Sequence, residues 1–259
     1  MSIAHQPVLP DDIYDAARLN YAHVGSRVQG SLGCGAPLDA VALEEGNGVL
    51  GLGCGSGEAL VNAASRVGPK GFAIGVDMAE PMVSQARERI RCEGIDNADV
   101  RLGFIESVPL FDASVDRVIS NCVVCLSPEK DRVFAEIARV LKPGGRFCLA
   151  DIVLDSRPAW LRALLQWRGS CLATAADERT YTEGLAAAGL ENIVVENRVA
   201  YDASRMRAFI DPNLPRALWC IHGVGELVAN TLAKAGWRLF HGRLASVRIT
   251  GEKPGAQTG

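Results

Sequence analysis

The chain carries no surplus of positive charge. Its 27 Lys and Arg residues are outnumbered by 30 Asp and Glu, for a net charge of −3 and a pI near 5.9. A nucleic-acid grip needs Lys and Arg gathered on one face. Here they are scattered, and Arg87, Arg89 and Arg91 cluster only on what reads as the solvated side of a helix. DNA and RNA are therefore not expected as substrates or partners. Long apolar runs are lacking too: none approaches the roughly twenty residues of a membrane-spanning helix, so no membrane partner is expected. The opening Met1-Ser2-Ile3-Ala4-His5-Gln6-Pro7 has neither the basic region nor the apolar stretch of a signal peptide, and a cytoplasmic location is expected. Internal repeats and an evident flexible linker are also missing. Cysteine, by contrast, is plentiful: Cys34, Cys54, Cys92, Cys122, Cys125, Cys148, Cys171 and Cys220. An even count does not make a disulfide framework in a chain of this length, and Cys54 and Cys148 are expected to be reduced. Cys122 and Cys125 form a C-x-x-C at the end of an expected strand rather than at a helix start. That argues for two small apolar groups rather than a thioredoxin-like pair.

What the chain does have is a glycine turn between two apolar runs. Val49-Leu50-Gly51-Leu52 leads into Gly53-Cys54-Gly55-Ser56-Gly57, and Glu58-Ala59-Leu60-Val61-Asn62-Ala63-Ala64 then reads as a helix. A second run, Phe72-Ala73-Ile74-Gly75-Val76, ends in Asp77 and Met78. Strand, glycine loop, helix, strand and carboxylate form an adenosine-cofactor pattern. The glycines admit a ligand close to the backbone, the helix N-terminus favours negative charge, and the acid takes two ribose hydroxyls. The spacing lacks the third glycine of the dinucleotide fingerprint and the Lys-Ser/Thr pair of a phosphate loop. The tighter turn suits a smaller group, such as the amino-acid end of S-adenosylmethionine. Gly53, Gly55, Gly57 and Asp77 are the primary candidate ligands. Cys54 reads equally as a small filler of the turn, and Met78 as an adenine wall or as core.

Hydrophobic residues at 48% and charged residues at 22% are ordinary for a folded domain. Strand signals fall near 48–52, 71–76, 98–104, 115–120 and 145–151, with helical periodicity at 57–67, 80–93 and 129–141. Lys142-Pro143-Gly144-Gly145 reads as a stop and turn. This alternation predicts an α/β fold, a doubly wound parallel sheet. Further helices are expected at 11–28, 156–175, 180–188 and 214–240, and strands near 192–200 and 244–250. The organisation expected is a lid helix and cysteine-containing loop over 1–46, a cofactor-binding core over 47–155, helices and the last two strands over 156–251, and a disordered polar tail over 252–259.

The glycine turn, Asp77 and Leu141-Lys142-Pro143-Gly144-Gly145 together resemble the class I S-adenosylmethionine-dependent methyltransferases. The resemblance implies a Rossmann-like sheet of seven strands, the last two an antiparallel pair, with a helical cap. It implies S-adenosylmethionine as cofactor and S-adenosylhomocysteine as product. Gly103-Phe104-Ile105-Glu106 falls where such enzymes contact adenine, with Phe104 in place of an acid, the Ile105 backbone able to serve, and Glu106 close by. Asn121 follows the fourth strand, where donor and acceptor meet in this fold; its plain alternative is a turn residue. Gly51 stands where the pattern Leu-Asp-Leu-Gly has an acid, so a looser grip on the cofactor's amino end is expected.

Within that superfamily the chain is most similar to the arsenite methyltransferases. Leu32-Gly33-Cys34-Gly35, Gly75-Val76-Asp77-Met78, the stretch from Ile119-Ser120-Asn121-Cys122 through Pro128-Glu129-Lys130, and Trp167-Arg168-Gly169-Ser170-Cys171-Leu172 carry the likeness. It implies that Cys34 and Cys171 hold trivalent arsenic as thiolates, soft ligands for a thiophilic centre, and that a thiol reductant takes part. A bound As(III) keeps a lone pair for the methyl carbon and needs no general base. Cys125 replaces an Asn common in that family. The family's third cysteine would fall near His241-Gly242; Cys220 lies about twenty residues upstream, a position that reads as helix packing. Two other readings stay open. One is methyl transfer to a small organic molecule, with His222, His241 or Glu106 as available bases. The other is a catalytically silent sensor on the same fold. Tyr14 and Tyr21 read as a lid or as one face of an amphipathic helix, and Trp160 and Trp167 as core or pocket wall. Oligomeric state is not legible.

Overall fold

The computed structural model describes residues 37–155, 174–201 and 243–256. In chain order the elements are a 3-10 turn Pro37–Asp39, strand β1 (Gly48–Leu52), helix α1 (Glu58–Val67), β2 (Phe72–Asp77), α2 (Glu80–Cys92), β3 (Ala98–Leu102), β4 (Val115–Asn121), a second 3-10 turn Val124–Leu126, α3 (Lys130–Val140), β5 (Leu141–Leu154), α4 (Glu178–Ala187), β6 (Glu191–Ala200) and β7 (Leu244–Glu252). They form one seven-stranded sheet in the order β3-β2-β1-β4-β5-β7-β6. Strands β1 to β5 run parallel to their neighbours, and β7 runs antiparallel to both β5 and β6. The expected helices at 11–28, 156–175 and 214–240 lie outside the described residues, and so does the cap they would form.

Burial on both faces explains the apolar strands. All five residues of β1 are buried. On one side Leu50, Leu52, Val118, Phe147 and Leu149 meet Val133, Phe134 and Ile137 of α3 and Tyr181 and Leu185 of α4. On the other, Val49, Ala73, Ile119 and Cys148 meet Leu60, Ala64 and Val67 of α1, Val83 and Ala86 of α2, and Leu38 and Val41 from the first 3-10 turn and the residues after it. Arg117 ties that last segment down from β4: its side chain donates to the carbonyls of Val41 at 2.6 Å and Ala42 at 3.1 Å. From β1 the chain moves outward to β2 and β3 on one flank, then returns to β4 and β5 on the other. The order reverses between β1 and β4, and the crevice at their carboxyl ends is where ligands bind in such sheets.

Two expectations change. The turn Lys142-Pro143-Gly144-Gly145 does not precede β5 but lies inside it. Leu141 pairs with Val115, the register shifts, and pairing resumes with Arg146 opposite Arg117. The reason sits far along the chain. The Gly144 N–H donates to the Lys253 carbonyl at 2.9 Å, and the Lys253 N–H donates to Gly145 at 2.8 Å. The Lys253 ammonium also reaches the carbonyls of Ala138 at 2.7 Å and Leu141 at 2.8 Å. The polar tail expected to be disordered from residue 252 is thus bonded into the sheet at its start. Residues 257–259 lie outside the described set.

Candidate functional site

The glycine turn leaves β1 at its carboxyl end and enters α1. Gly53, Gly55 and Gly57 all sit in the left-handed region, with φ of 60°, 52° and 83°, which only glycine adopts at no steric cost. Each meets different surroundings. A β-carbon at Gly53 would collide with the Val123 side chain, and one at Gly57 would approach Ala86 Cβ of α2 to 2.9 Å. At Gly55 a β-carbon would have no atom within 4 Å. Gly53 and Gly57 therefore let the turn pack, while Gly55 faces open space on the crevice side.

Asp77, at the end of β2, closes on the same turn. Its Oδ2 accepts from the Gly55 N–H at 2.9 Å, and its Oδ1 accepts from the Ala79 N–H at 2.9 Å. Burial pushes its carboxyl above the usual range, and those two N–H donors oppose the shift. A carboxylate offers about four acceptor sites, so each oxygen keeps room for a hydroxyl. The Gly103 N–H donates to the Asp77 carbonyl at 3.0 Å, which brings Phe104 and Ile105 beside the end of β2. Ile105 is buried in the core and Phe104 is half-buried. Met78 is half-buried next to Asp77.

Cys54 takes the filler role. A β-carbon at Gly75 would meet its Sγ at 2.6 Å, so the thiol occupies space that Gly75 vacates on β2. Burial, then the charge of Asp77, push that thiol up to about 12. Glu106 is buried, and it accepts a hydrogen bond from the Ser127 hydroxyl. That bond ties the segment after β3 to the loop after β4.

Across the crevice β4 ends at Asn121. Cys122 follows in the left-handed region with φ of 55°, and its N–H donates to the Ala150 carbonyl of β5 at 2.8 Å. Val123 then packs under Gly53. Cys122 departs from the plain apolar role expected of it, because it is disulfide-bonded. Cys125 is in no disulfide, nor are Cys54, Cys92 and Cys148, so the C-x-x-C does not close on itself. The residues beneath this loop were not among the candidates. Asp151 of β5 is fully buried and gathers the N–H of Cys125 at 2.8 Å and the hydroxyl of Tyr181 at 3.0 Å on Oδ2, and the N–H of Ile152 at 2.9 Å on Oδ1. The signal available was a lone acid inside the apolar run Phe147-Cys148-Leu149-Ala150-Asp151-Ile152-Val153-Leu154, since a buried charge survives only with partners. Lys130 is buried as well, donating to the carbonyls of Ser127 and Thr174, each at 2.7 Å.

Cys34 and Cys171 lie outside the described residues, as do Tyr14, Tyr21, Trp160, Trp167, Cys220, His222 and His241. Among the described residues no cluster of three or more His, Cys, Asp or Glu forms a metal site. No helix there is long and apolar enough to cross a membrane.

Residues 43–189 match the family model described as a methyltransferase domain. The chain belongs to the methyltransferase domain family. The family uses S-adenosylmethionine as methyl donor. An arsenite methyltransferase from Halobacterium salinarum is 47% identical over 140 residues, 54% of this chain and 35% of that protein. A nocamycin O-methyltransferase from Saccharothrix syringae is 41% identical over 117 residues, 45% of this chain and 41% of that protein. The aligned parts therefore span well under half of either relative. Among solved structures, an arsenic(III) S-adenosylmethionine methyltransferase from Chlamydomonas reinhardtii superposes with a TM-score of 0.66 at 29% identity, covering 94% of this chain and 74% of that one. The methyl donor fits the residues present. The open side of Gly55 is a space that any side chain would fill, and the Asp77 oxygens beside it have acceptor capacity in hand.

Proposed function

We propose that the protein is an S-adenosylmethionine-dependent methyltransferase whose acceptor is trivalent arsenic held by the thiolates of Cys34 and Cys171. The observation that carries the cofactor half is the hydrogen bond between Gly55 and Asp77, which joins the glycine turn and the ribose-binding acid at the switch point of the sheet. The arsenic half is supported by the likeness to arsenite methyltransferases and by the affinity of soft thiolates for a soft metalloid.

When bound, the cofactor supplies a methyl group on a positively charged sulfur. Asp77 would take the ribose hydroxyls, the backbone of Gly53, Cys54, Gly55 and Gly57 would hold the amino-acid end, and Met78, Phe104, Ile105 and Glu106 would hold the adenine. Asn121 lines the crevice between donor and acceptor. Cys34 and Cys171 present the arsenic lone pair, with no proton to be moved at the acceptor. Catalysis is then positioning, and a thiol reductant keeps the cysteines and the arsenical in the reduced state. The protein works in the cytoplasm, without nucleic acid or membrane.

Labelled S-adenosylmethionine with arsenite and a thiol tests this, with Cys34→Ser, Cys171→Ser and Asp77→Ala beside the wild type. Transfer lost in both cysteine variants, with cofactor binding retained, supports the arsenical acceptor. Transfer to arsenite that ignores both substitutions removes those residues from the site.

A small organic acceptor is the second reading, favoured by the likeness to the nocamycin O-methyltransferase and by the lack of a cysteine at His241-Gly242. Transfer to a hydroxylated small molecule but not to arsenite would establish it.

A further inference from the structure

The loop from Asn121 to Ser127 forms the wall between the glycine turn and the acceptor side, and it is built in an unfavourable shape. Cys122 is held left-handed, a conformation that a non-glycine residue keeps only where its surroundings over-determine it. Part of the restraint is the disulfide at Cys122 itself, and the rest comes from below. Cys125 is fully buried in the 3-10 turn, and its N–H donates to Asp151 Oδ2 at 2.8 Å. Tyr181, from α4, donates to Oδ2 at 3.0 Å, and the Ile152 N–H donates to Oδ1 at 2.9 Å. Two oxygens thus serve two backbone donors and the Tyr181 hydroxyl. The Tyr181 ring is itself fixed against Phe134 of α3, centroids 5.7 Å apart. The same loop is held from its other end by the Lys130 ammonium, which donates to the carbonyls of Cys125 at 3.3 Å and Ser127 at 2.7 Å.

We propose that Asp151 is a positioning residue for methyl transfer. It grips the Cys125 N–H and the Tyr181 hydroxyl, and so holds the loop that carries Val123 against Gly53 of the glycine turn. This rests on the methyltransferase reading for its effect on turnover, but the effect on the loop stands without it.

The chemistry sets the test. Asparagine in place of Asp151 turns an NH2 group toward donors, which leaves buried hydrogen-bonding groups unmatched. Phenylalanine in place of Tyr181 removes the hydroxyl donor and keeps the ring against Phe134. In the full chain, Asp151→Asn is expected to lower kcat by about tenfold or more, since small displacements at a reacting centre cost that much. The KM and Kd for S-adenosylmethionine should change less than kcat, by no more than about threefold, because Asp77 and the Gly55 N–H it accepts from lie outside the loop that Asp151 holds. Amide hydrogen exchange at residues 122–126 should speed up. Tyr181→Phe should move kcat and exchange in the same direction. Should Asp151→Asn not fold, Tyr181→Phe carries the test through faster exchange at 122–126. A fall in kcat with wild-type exchange at 122–126 would overturn the proposal. Unchanged exchange in every variant that folds would overturn it as well. If the wild type transfers no methyl group to any acceptor, the function assigned above fails, and the exchange data still decide the role of Asp151.

Discussion

At Gly51 a β-carbon would meet Cys54, Leu60 and Ile119 no nearer than 3.8 Å, which is ordinary contact. A β-carbon is therefore tolerated at the position where the pattern Leu-Asp-Leu-Gly has an acid. Gly51→Asp is expected to tighten S-adenosylmethionine binding by about tenfold, the worth of one charge-assisted hydrogen bond to the cofactor's ammonium. Calorimetric Kd values check this, and equal or weaker binding would mean that the amino end is held elsewhere. The thiols make a second prediction at this scale. Burial pushes Cys54 and Cys148 up to about 12. Cys92 is also raised, by its hydrogen bond to Glu88, but it is exposed. Iodoacetamide near pH 8 should modify Cys92 slowly in the folded protein and spare Cys54 and Cys148, because only an accessible thiolate reacts. Peptide mass spectrometry reads the order, and early labelling of Cys54 would contradict its filler role. The glycine turn and Asp77 were legible because both are local: a ligand-facing turn is a run of residues, and the acid comes one βα unit later. Asp151, Tyr181 and Cys125 were not, since nothing in sequence joins positions 125, 151 and 181 until the sheet and α4 bring them together.

Among the elements, α4 has a defined start. The Asp177 carboxylate accepts from the N–H of Thr180 at 2.8 Å and from its hydroxyl at 2.6 Å. The hydroxyl, then the N–H, hold this carboxyl below the usual carboxylate range. A folded-state value below the unfolded one adds stability above the unfolded value near about 3.9, and that stability is lost as pH falls through the folded value. Asp177→Ala is expected to cost about 1 kcal/mol near neutral pH. The gap to wild type should shrink as pH drops below the ordinary carboxylate range. Urea titrations at several pH values check both statements. A gap that is constant with pH would mean that capping by the charged form is not the source. Element boundaries followed the sequence closely wherever glycine, proline and a cap punctuate the chain, as at Pro81 and Gly94 around α2. They failed at Lys142-Pro143-Gly144-Gly145, where the local signal for a turn is genuine but the turn is taken into β5 by partners at Val115 and Lys253. Pairing across more than a hundred residues has no local signature.

For the molecule as a whole, the alternation of strands and helices made the doubly wound sheet legible, and the resemblance to class I methyltransferases supplied the antiparallel end. The acceptor side is expected only from cysteines in a family pattern, because soft-ligand chemistry leaves no periodicity to read. Residues 244–252 close the sheet from within: β7 pairs with β5 along Arg146 to Leu154 and with β6 along Glu191 to Ala200. A chain cut at residue 243 is expected to lose cooperative thermal unfolding and to bind a hydrophobic dye, since β6 is left without its only sheet neighbour among the described residues. A sharp melt in that truncated chain would show that β6 and β5 are held by other means. The same arrangement bears on synthesis. A ribosome completes β1 to β4 early, yet β5 keeps one raw edge, and β6 waits unpaired, until β7 emerges and slides between them. The interval between those two moments exposes both strands to mispairing, and a pause in translation between β6 and β7 would lengthen it.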